Sequence, residues 1–387
     1  MESSPSQDTS STPDHPLEII RSRGEAHENQ NRYAEAIEEY RRYLRMDQSN
    51  PWVYAHMAEC LRLTGEISEA LELFTRALQI DETYTWALTG RGDTYYAAAE
   101  YALALLDYQK ALFNAMEDMR LLDRVGDCLC FLGRFEEAIP FFNQSVGLNP
   151  DNAWSLAHRG WALMETERYE ECLLDLNLAL ALDPQYSWAH YCKGIYFQRQ
   201  HNPAGALECF NRALEFMPDF NGAIQERGYV YMDMGESEKA LGDFTRLTSL
   251  EPGNGWAHYH CGRMQVVLGM REEALKSFQK ALKTGLENTW IYTEIGILLQ
   301  EMGELKKALS PLNRAIKLDP GNVEAWANRA AIHRRMGSFK KALDDINQAI
   351  TLKEGADAWL FAVRGKIYSE LEQYEKSLQE YDSAVQL

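Results

Sequence analysis

Basic charge is scarce in this chain. Across 387 residues, 39 Lys and Arg face 58 Asp and Glu, a formal net charge of −19. A nucleic-acid binder needs a basic stripe to replace counterions along the phosphates, so no nucleic-acid partner is expected. An anionic membrane surface is excluded on the same ground. No apolar run approaches the ~18 residues that span a bilayer, so direct membrane insertion is not expected. The seven cysteines form an odd set without CxxC spacing, which argues against a disulfide framework or a zinc module. Reduced thiols suit a cytoplasmic protein. The N-terminus, MESSPSQDTSSTPDHP, lacks the basic and apolar regions of a signal peptide. GxSxG, HExxH, GxxxxGK[ST] and GxGxxG strings are all missing. The expectation is therefore a chain with no catalytic residues, no metal and no cofactor, hence no enzyme.

What the chain does have is enough apolar material for a core, 45% of its residues, and a ruler. Gly24, Ala58, Gly92, Gly126, Gly160, Gly194, Gly228, Gly262, Gly296 and Ala330 stand 34 residues apart. Twelve residues after each comes a second small residue: Ala36, Ala70, Ala104, Ala138, Cys172, Ala206, Ala240, Ala274, Ala308 and Ala342. Prolines 150, 184, 218, 252 and 320 keep the same interval or twice it. After Asp357 the register slips by one, and Gly365 with Ser377 continues it. This divides the chain into repeats 17–50, 51–84, 85–118, 119–152, 153–186, 187–220, 221–254, 255–288, 289–322, 323–356 and a shortened 358–387. The Ser/Thr/Pro-rich residues 1–16 fall outside the ruler and are expected to be a disordered tail.

Each repeat reads as two helices. In 119–152, apolar residues at 122, 125, 129 and 132 are helically spaced, Gly133 breaks the chain, and Phe135, Ala138, Ile139, Phe142 and Val146 resume the spacing until Pro150. The small residues at repeat positions 8 and 20 let two antiparallel helices approach closely. The aromatic or Leu at position 24 (Tyr40, Phe74, Tyr108, Phe142, Leu176, Phe210, Phe244, Phe278) fills the space beside the crossing. Pro140 and Pro311 fall inside second helices, where a kink or a late start is expected, whereas Pro203 sits in a tolerated first turn.

This pattern resembles the tetratricopeptide repeat along residues 17–387. The resemblance implies an all-α fold: a right-handed α-solenoid of tandem helix–turn–helix units. It also implies that first helices line a concave groove through positions 2, 5, 6, 9, 12 and 13. Position 2 is tryptophan at Trp52, Trp86, Trp154, Trp188, Trp256, Trp290 and Trp359. His56, His158 and His260 stand four residues after three of these, on the same helix face, and 102 residues from one another. Trp161, Tyr191, Ile195, Tyr229, Met232, Tyr259 and Val266 add to the groove positions. The candidate ligand-binding set is Trp52, Trp86, Trp154, His158, Trp161, Trp188, Tyr191, Tyr229, Trp256, Tyr259, His260 and Trp290. The position-2 series has two readings: a ladder of rings that stacks on a ligand, or packing at the joints between repeats. The groove charges are mixed, with Arg120, Arg124, Arg199 and Arg263 among Asp123, Asp127, Glu165, Glu226 and Asp233.

Two family binding modes fail on residue type. The clamp for the C-terminal carboxylate of chaperones needs Lys and Asn where the first repeats have Arg21, Glu25, His56, Trp86 and Gly90. The Asn series of O-linked N-acetylglucosamine transferase survives only at Asn328. Arg91-Gly92-Asp93 spells an integrin tripeptide, but Gly92 is a helix-packing position. His258-Tyr259-His260-Cys261 looks metal-like, yet alternate residues of a helix face different ways. The expected function is a protein–protein interaction scaffold that holds an extended peptide segment of a partner. The other readings are an assembly subunit stacking through its C-terminal end, or a regulatory subunit of a separately encoded enzyme.

Overall fold

In the computed structural model the described residues are 16–353 and 357–387, and every regular element among them is an α-helix. The chain forms two compact units. The first, 1–196, holds α1 (Pro16–Glu28), α2 (Tyr33–Met46), α3 (Pro51–Thr64), α4 (Ile67–Ile80), α5 (Thr85–Ala97), α6 (Tyr101–Asn114), α7 (Met119–Phe131), α8 (Phe135–Leu148), α9 (Ala153–Glu165), α10 (Tyr169–Leu182) and most of α11 (Ser187–Arg199). The second, 197–387, holds the end of α11 with α12 (Pro203–Phe216), α13 (Asn221–Asp233), α14 (Ser237–Leu250), α15 (Gly255–Val267), α16 (Arg271–Lys283), α17 (Thr289–Glu301), α18 (Leu305–Leu318), α19 (Val323–Arg335), α20 (Phe339–Leu352), α21 (Ala358–Glu370) and α22 (Tyr374–Val385). Each unit is a tandem solenoid of helix–turn–helix pairs, in which a second helix also packs on the first helix of the next pair. No helix among the described residues is long and apolar enough to cross a membrane.

Close approach explains the small residues on the ruler. A Cβ on Gly126 would lie 2.7 Å from the Phe142 ring, and one on Gly262 2.5 Å from Phe278. The ring at position 24 is therefore seated directly against the facing backbone, and Tyr40, Phe74, Tyr108, Phe142, Phe210, Phe244 and Phe278 are fully buried.

The turn inside each pair has one conformation throughout. Its fifteenth residue has positive φ in every repeat: Asn31, Gly65, Ala99, Gly133, Glu167, His201, Gly235, Gly269, Gly303, Gly337 and Glu372. An L-residue in this left-handed region costs about 1–2 kcal/mol, which glycine avoids. Ala99, at φ 60°, is exposed and has no side-chain polar group with which to offset that cost. Replacing it with glycine is expected to raise stability by about 0.5–1 kcal/mol after the greater freedom of the unfolded chain is subtracted. A thermal melt that falls for Ala99→Gly would contradict this.

A second recurrent device ties neighbouring pairs. Arg91, Arg159, Arg227 and Arg329, at position 7, each grip an aspartate sixteen residues on with two bonds: Asp107 (2.7 and 2.7 Å), Asp175 (2.7 and 2.7 Å), Asp243 (2.9 and 2.6 Å) and Asp345 (2.8 and 2.6 Å). The remaining guanidinium nitrogen donates to Thr75, Asn143, Asn211 or Asn313 on the preceding second helix. The four carboxylates are buried, so each depends on its two-bond partner. The Arg91-Gly92-Asp93 string is thereby accounted for: Arg91 holds Asp107, Gly92 abuts Tyr108, and Asp93 accepts a 2.6 Å bond from Tyr108.

Pro140 and Pro311 cause no late start, since α8 and α18 begin at the same repeat position as their counterparts and run through the prolines. Pro203, as expected, opens α12 behind its Asn202 cap. Residues 1–15 of the anticipated tail lie outside the described residues, and Pro16 is already helical.

Candidate functional site

The two tryptophan–histidine pairs of the first unit are joints. The Trp52 ring stacks on His56 at 3.8 Å, and Trp86 of the next repeat lies on the other face of that imidazole at 5.2 Å. Trp154, His158 and Trp188 repeat the sandwich at 3.7 and 5.3 Å. Each histidine is oriented by a carboxylate from the preceding pair, His56 by Glu28 and His158 by Asp127, both at 3.0 Å. Asp127 also accepts the Tyr96 hydroxyl. Trp52 and Trp154 further touch the preceding second helix through Tyr40 and Phe142. Packing at the repeat joints is thus how the structure uses Trp52, His56, Trp154 and His158. Trp86 keeps 49% of its surface open, while His158 keeps only 7%.

The same unit carries a patch of half-buried rings on its first helices. Trp161 meets Trp188 edge-on at 5.5 Å, and Tyr191 tilts on Trp188 at 5.4 Å. Asp123 and Asp127, expected as groove charges, are buried instead. Asp123 accepts from Ser155 at 2.8 Å, and burial raises its carboxyl above the usual range.

The second unit departs from this scheme at His260. No acidic residue stands at the positions that Glu28 and Asp127 occupy; they are held by Met232 and Tyr229. His260 instead stacks on Phe244 at 5.0 Å with Tyr229 edge-on at 5.0 Å, and its Nδ1 is buried without a hydrogen-bond partner among the described residues. Burial, reinforced by the nearby Arg263 charge, pushes the imidazole down to about 4. His260 is therefore neutral at pH 7.

Beside it opens a cavity of about 410 Å³ on the first-helix face of α15, α17 and α19. Four of the sequence candidates line it: Trp256, Tyr259, His260 and Trp290. Trp256 and Trp290 keep 42% and 57% of their surface open, whereas Tyr259 keeps 7%. Arg263, Thr293, Glu294 and Glu324 complete the wall. Burial lifts the Glu294 carboxyl, and the Glu324 charge lifts it further. Tyr229 lies outside this wall and reaches it only through His260. Thr293, Glu294 and Glu324, at repeat positions 5, 6 and 2, are not in the candidate set, which holds only aromatic residues and histidine.

Tetratricopeptide repeat models match residues 29–73, 120–152, 291–322 and 312–344. Among solved structures the chain is similar to YrrB, a TPR protein with an unusual peptide-binding site, at 24% identity over 49% of this chain and 97% of that one, TM-score 0.42. It is similar to the APC/C hetero-tetramer Cut9–Hcn1 at 15% identity over 96% and 93%, TM-score 0.45, and to MamA at 27% over 42% and 94%, TM-score 0.38. No curated protein matches it. Arrays of this kind are in general non-catalytic scaffolds for contacts with other proteins. The matched stretches and the tandem helix pairs that contain them make this chain a tetratricopeptide-repeat protein.

Proposed function

We propose that this chain is a cytoplasmic scaffold without catalytic activity that seats an extended segment of a partner protein on its first-helix faces, chiefly at Trp256, Tyr259 and Trp290. The observation that carries this reading is the contrast between the tryptophans. Trp52 and Trp154 are taken up by the repeat joints, whereas Trp256 and Trp290 stand open at the rim of a cavity. Large aromatic rings held on rigid helices and left open to solvent are the usual anchors of an interface. Trp161, Trp188 and Tyr191 form a second, shallower patch in the first unit that extends the same chemistry.

The experiment is capture of binding proteins by the full chain beside its Trp256→Ala/Trp290→Ala variant. Since anchor residues are worth about 2 kcal/mol or more, at least one captured partner is expected to bind the variant at least tenfold more weakly. If every partner binds both forms equally while the helical content is unchanged, the reading is wrong.

A further inference from the structure

We propose that the cavity between α15, α17 and α19 takes the guanidinium of an arginine side chain, which lies against Trp256 or Trp290 and donates to Glu294, Glu324 and Tyr259. This inference rests on the peptide-seating reading above and names the side chain that the cavity selects.

Uncompensated acceptors are the first ground. Unlike the carboxylates of the arginine–aspartate ties, Glu294 and Glu324 enter no ion pair and no side-chain hydrogen bond among the described residues, although both line the cavity. Arg263 lines the same cavity and pairs with neither. Tyr259 is more than nine-tenths buried and lines the cavity, yet its hydroxyl also has no hydrogen-bond partner among the described residues. Glu294 is half-buried and Glu324 exposed, so both carboxylates are open to a ligand, and a donor-rich one would bind them through charge-assisted hydrogen bonds. His260 adds no opposing positive charge, because it is neutral. With two carboxylates against one guanidinium, the wall favours a cation.

Shape supplies the second ground. The open walls are indole rings, and a cation over an indole face is attracted by its quadrupole. Guanidinium is planar and carries five N–H donors, so it can stack on a ring while bonding to carboxylates at its edge; a compact ammonium cannot do both as well.

The chain itself supplies the third ground. In the first unit the position-2 ring of Trp52 is covered by its own Arg21, 5.5 Å from the ring centre, from position 5 of the preceding repeat. For Trp290 that position is Tyr259, and the ring stays open. Arg329 over Trp326, at 4.7 Å, is a further internal instance of the pairing. The cavity offers to a ligand what the chain elsewhere completes from its own sequence.

The test titrates the full chain with N-acetyl-arginine methylamide, following indole N–H and ring signals by NMR. The citrulline analogue, a neutral mimic of the same shape, is the first control, and N-acetyl-glutamate methylamide is the second. A single side chain is expected to bind in the millimolar range. The citrulline analogue and the Glu294→Gln/Glu324→Gln variant should each weaken binding at least about tenfold, which is the weight of a charge-assisted contact. Equal binding of arginine and citrulline by the native chain overturns the proposal, and that comparison needs no variant to fold. Preferred binding of the glutamate probe, which would make Arg263 the selector, overturns it too. So does the lack of any arginine response up to about 20 mM. Each of these failures leaves the Trp256/Trp290 capture result standing on its own, so the two readings fall separately.

Discussion

Phe142→Ala is expected to destabilise the first unit by about 3–5 kcal/mol, the usual range for emptying a buried phenylalanine site. The ring is fully buried and is the piece against which α7 closes on α8. With glycine at 126, the facing helix has no side chain to move into the gap. The loss also reaches the joint, because Trp154 and His158 both lie 6.3 Å from the Phe142 ring. Phe142→Leu should cost under about 1.5 kcal/mol. The next repeat already works this way, with Leu176 facing Gly160, where an added Cβ would lie 3.1 Å from the leucine. Urea unfolding gives both values. Because each repeat contacts only its neighbours, hydrogen exchange in Phe142→Ala should quicken around residues 119–160 before it does elsewhere. A cost of under about 1 kcal/mol for Phe142→Ala would show that the ring at position 24 is filler rather than the seat of the crossing.

The features that came directly from the sequence are those set by covalent spacing. Gly126, Ala138 and Phe142 must meet if two helices fold back on each other, and their recurrence every 34 residues declared it. The turn was half visible: Gly65, Gly133, Gly235, Gly269, Gly303 and Gly337 announce the left-handed residue, Asn31 and His201 tolerate it, but Ala99, Glu167 and Glu372 adopt it against their own preference. Tertiary closure of the helix pair outweighs that local cost. The arginine–aspartate ties had a signal that went unread, a constant sixteen-residue interval from Arg91, Arg159, Arg227 and Arg329.

The site was legible as a set of residue types and not as a place. The 102-residue interval of His56, His158 and His260 is plain, yet their surroundings diverge. Glu28 and Asp127 reach the first two from different repeat positions, and no side chain among the described residues bonds to Nδ1 of the third. The tryptophans also differ in cover: Trp52 lies against Tyr40, His56 and Arg21, whereas Trp290 keeps 57% of its surface open. Asp123 and Asp127 look like groove charges on a helical ruler, but their short side chains turn in toward Ser155 and His158. Side-chain reach, which spacing does not encode, decided each case.

His260 should make the second unit acid-sensitive. Its imidazole is held at about 4 in the fold, against about 6.5 in the unfolded chain. A histidine lowered in this way binds its proton more readily when unfolded. Its contribution is therefore fully present above about pH 6.5 and drains away as the pH falls toward 4, by roughly 3 kcal/mol in all. The half-buried carboxyls of Glu226 and Glu294 act in the opposite sense. Their folded values are raised, so protonation on acidification favours the folded form and masks part of the loss. Comparison with His260→Leu removes the histidine and keeps the glutamates. Between pH 7 and pH 4 the native chain should lose about 3 kcal/mol more than the variant in urea unfolding. The neighbours that set the shift are identifiable. Phe244 and Tyr229 remove water from the ring, and Arg263 adds a positive charge that opposes another. Acid titration of the imidazoles by NMR should give His260 a depressed midpoint. A His260 midpoint near 6.5 would mean that water or a counter-charge reaches Nδ1, and the neutral wall attributed to the cavity would be lost with it.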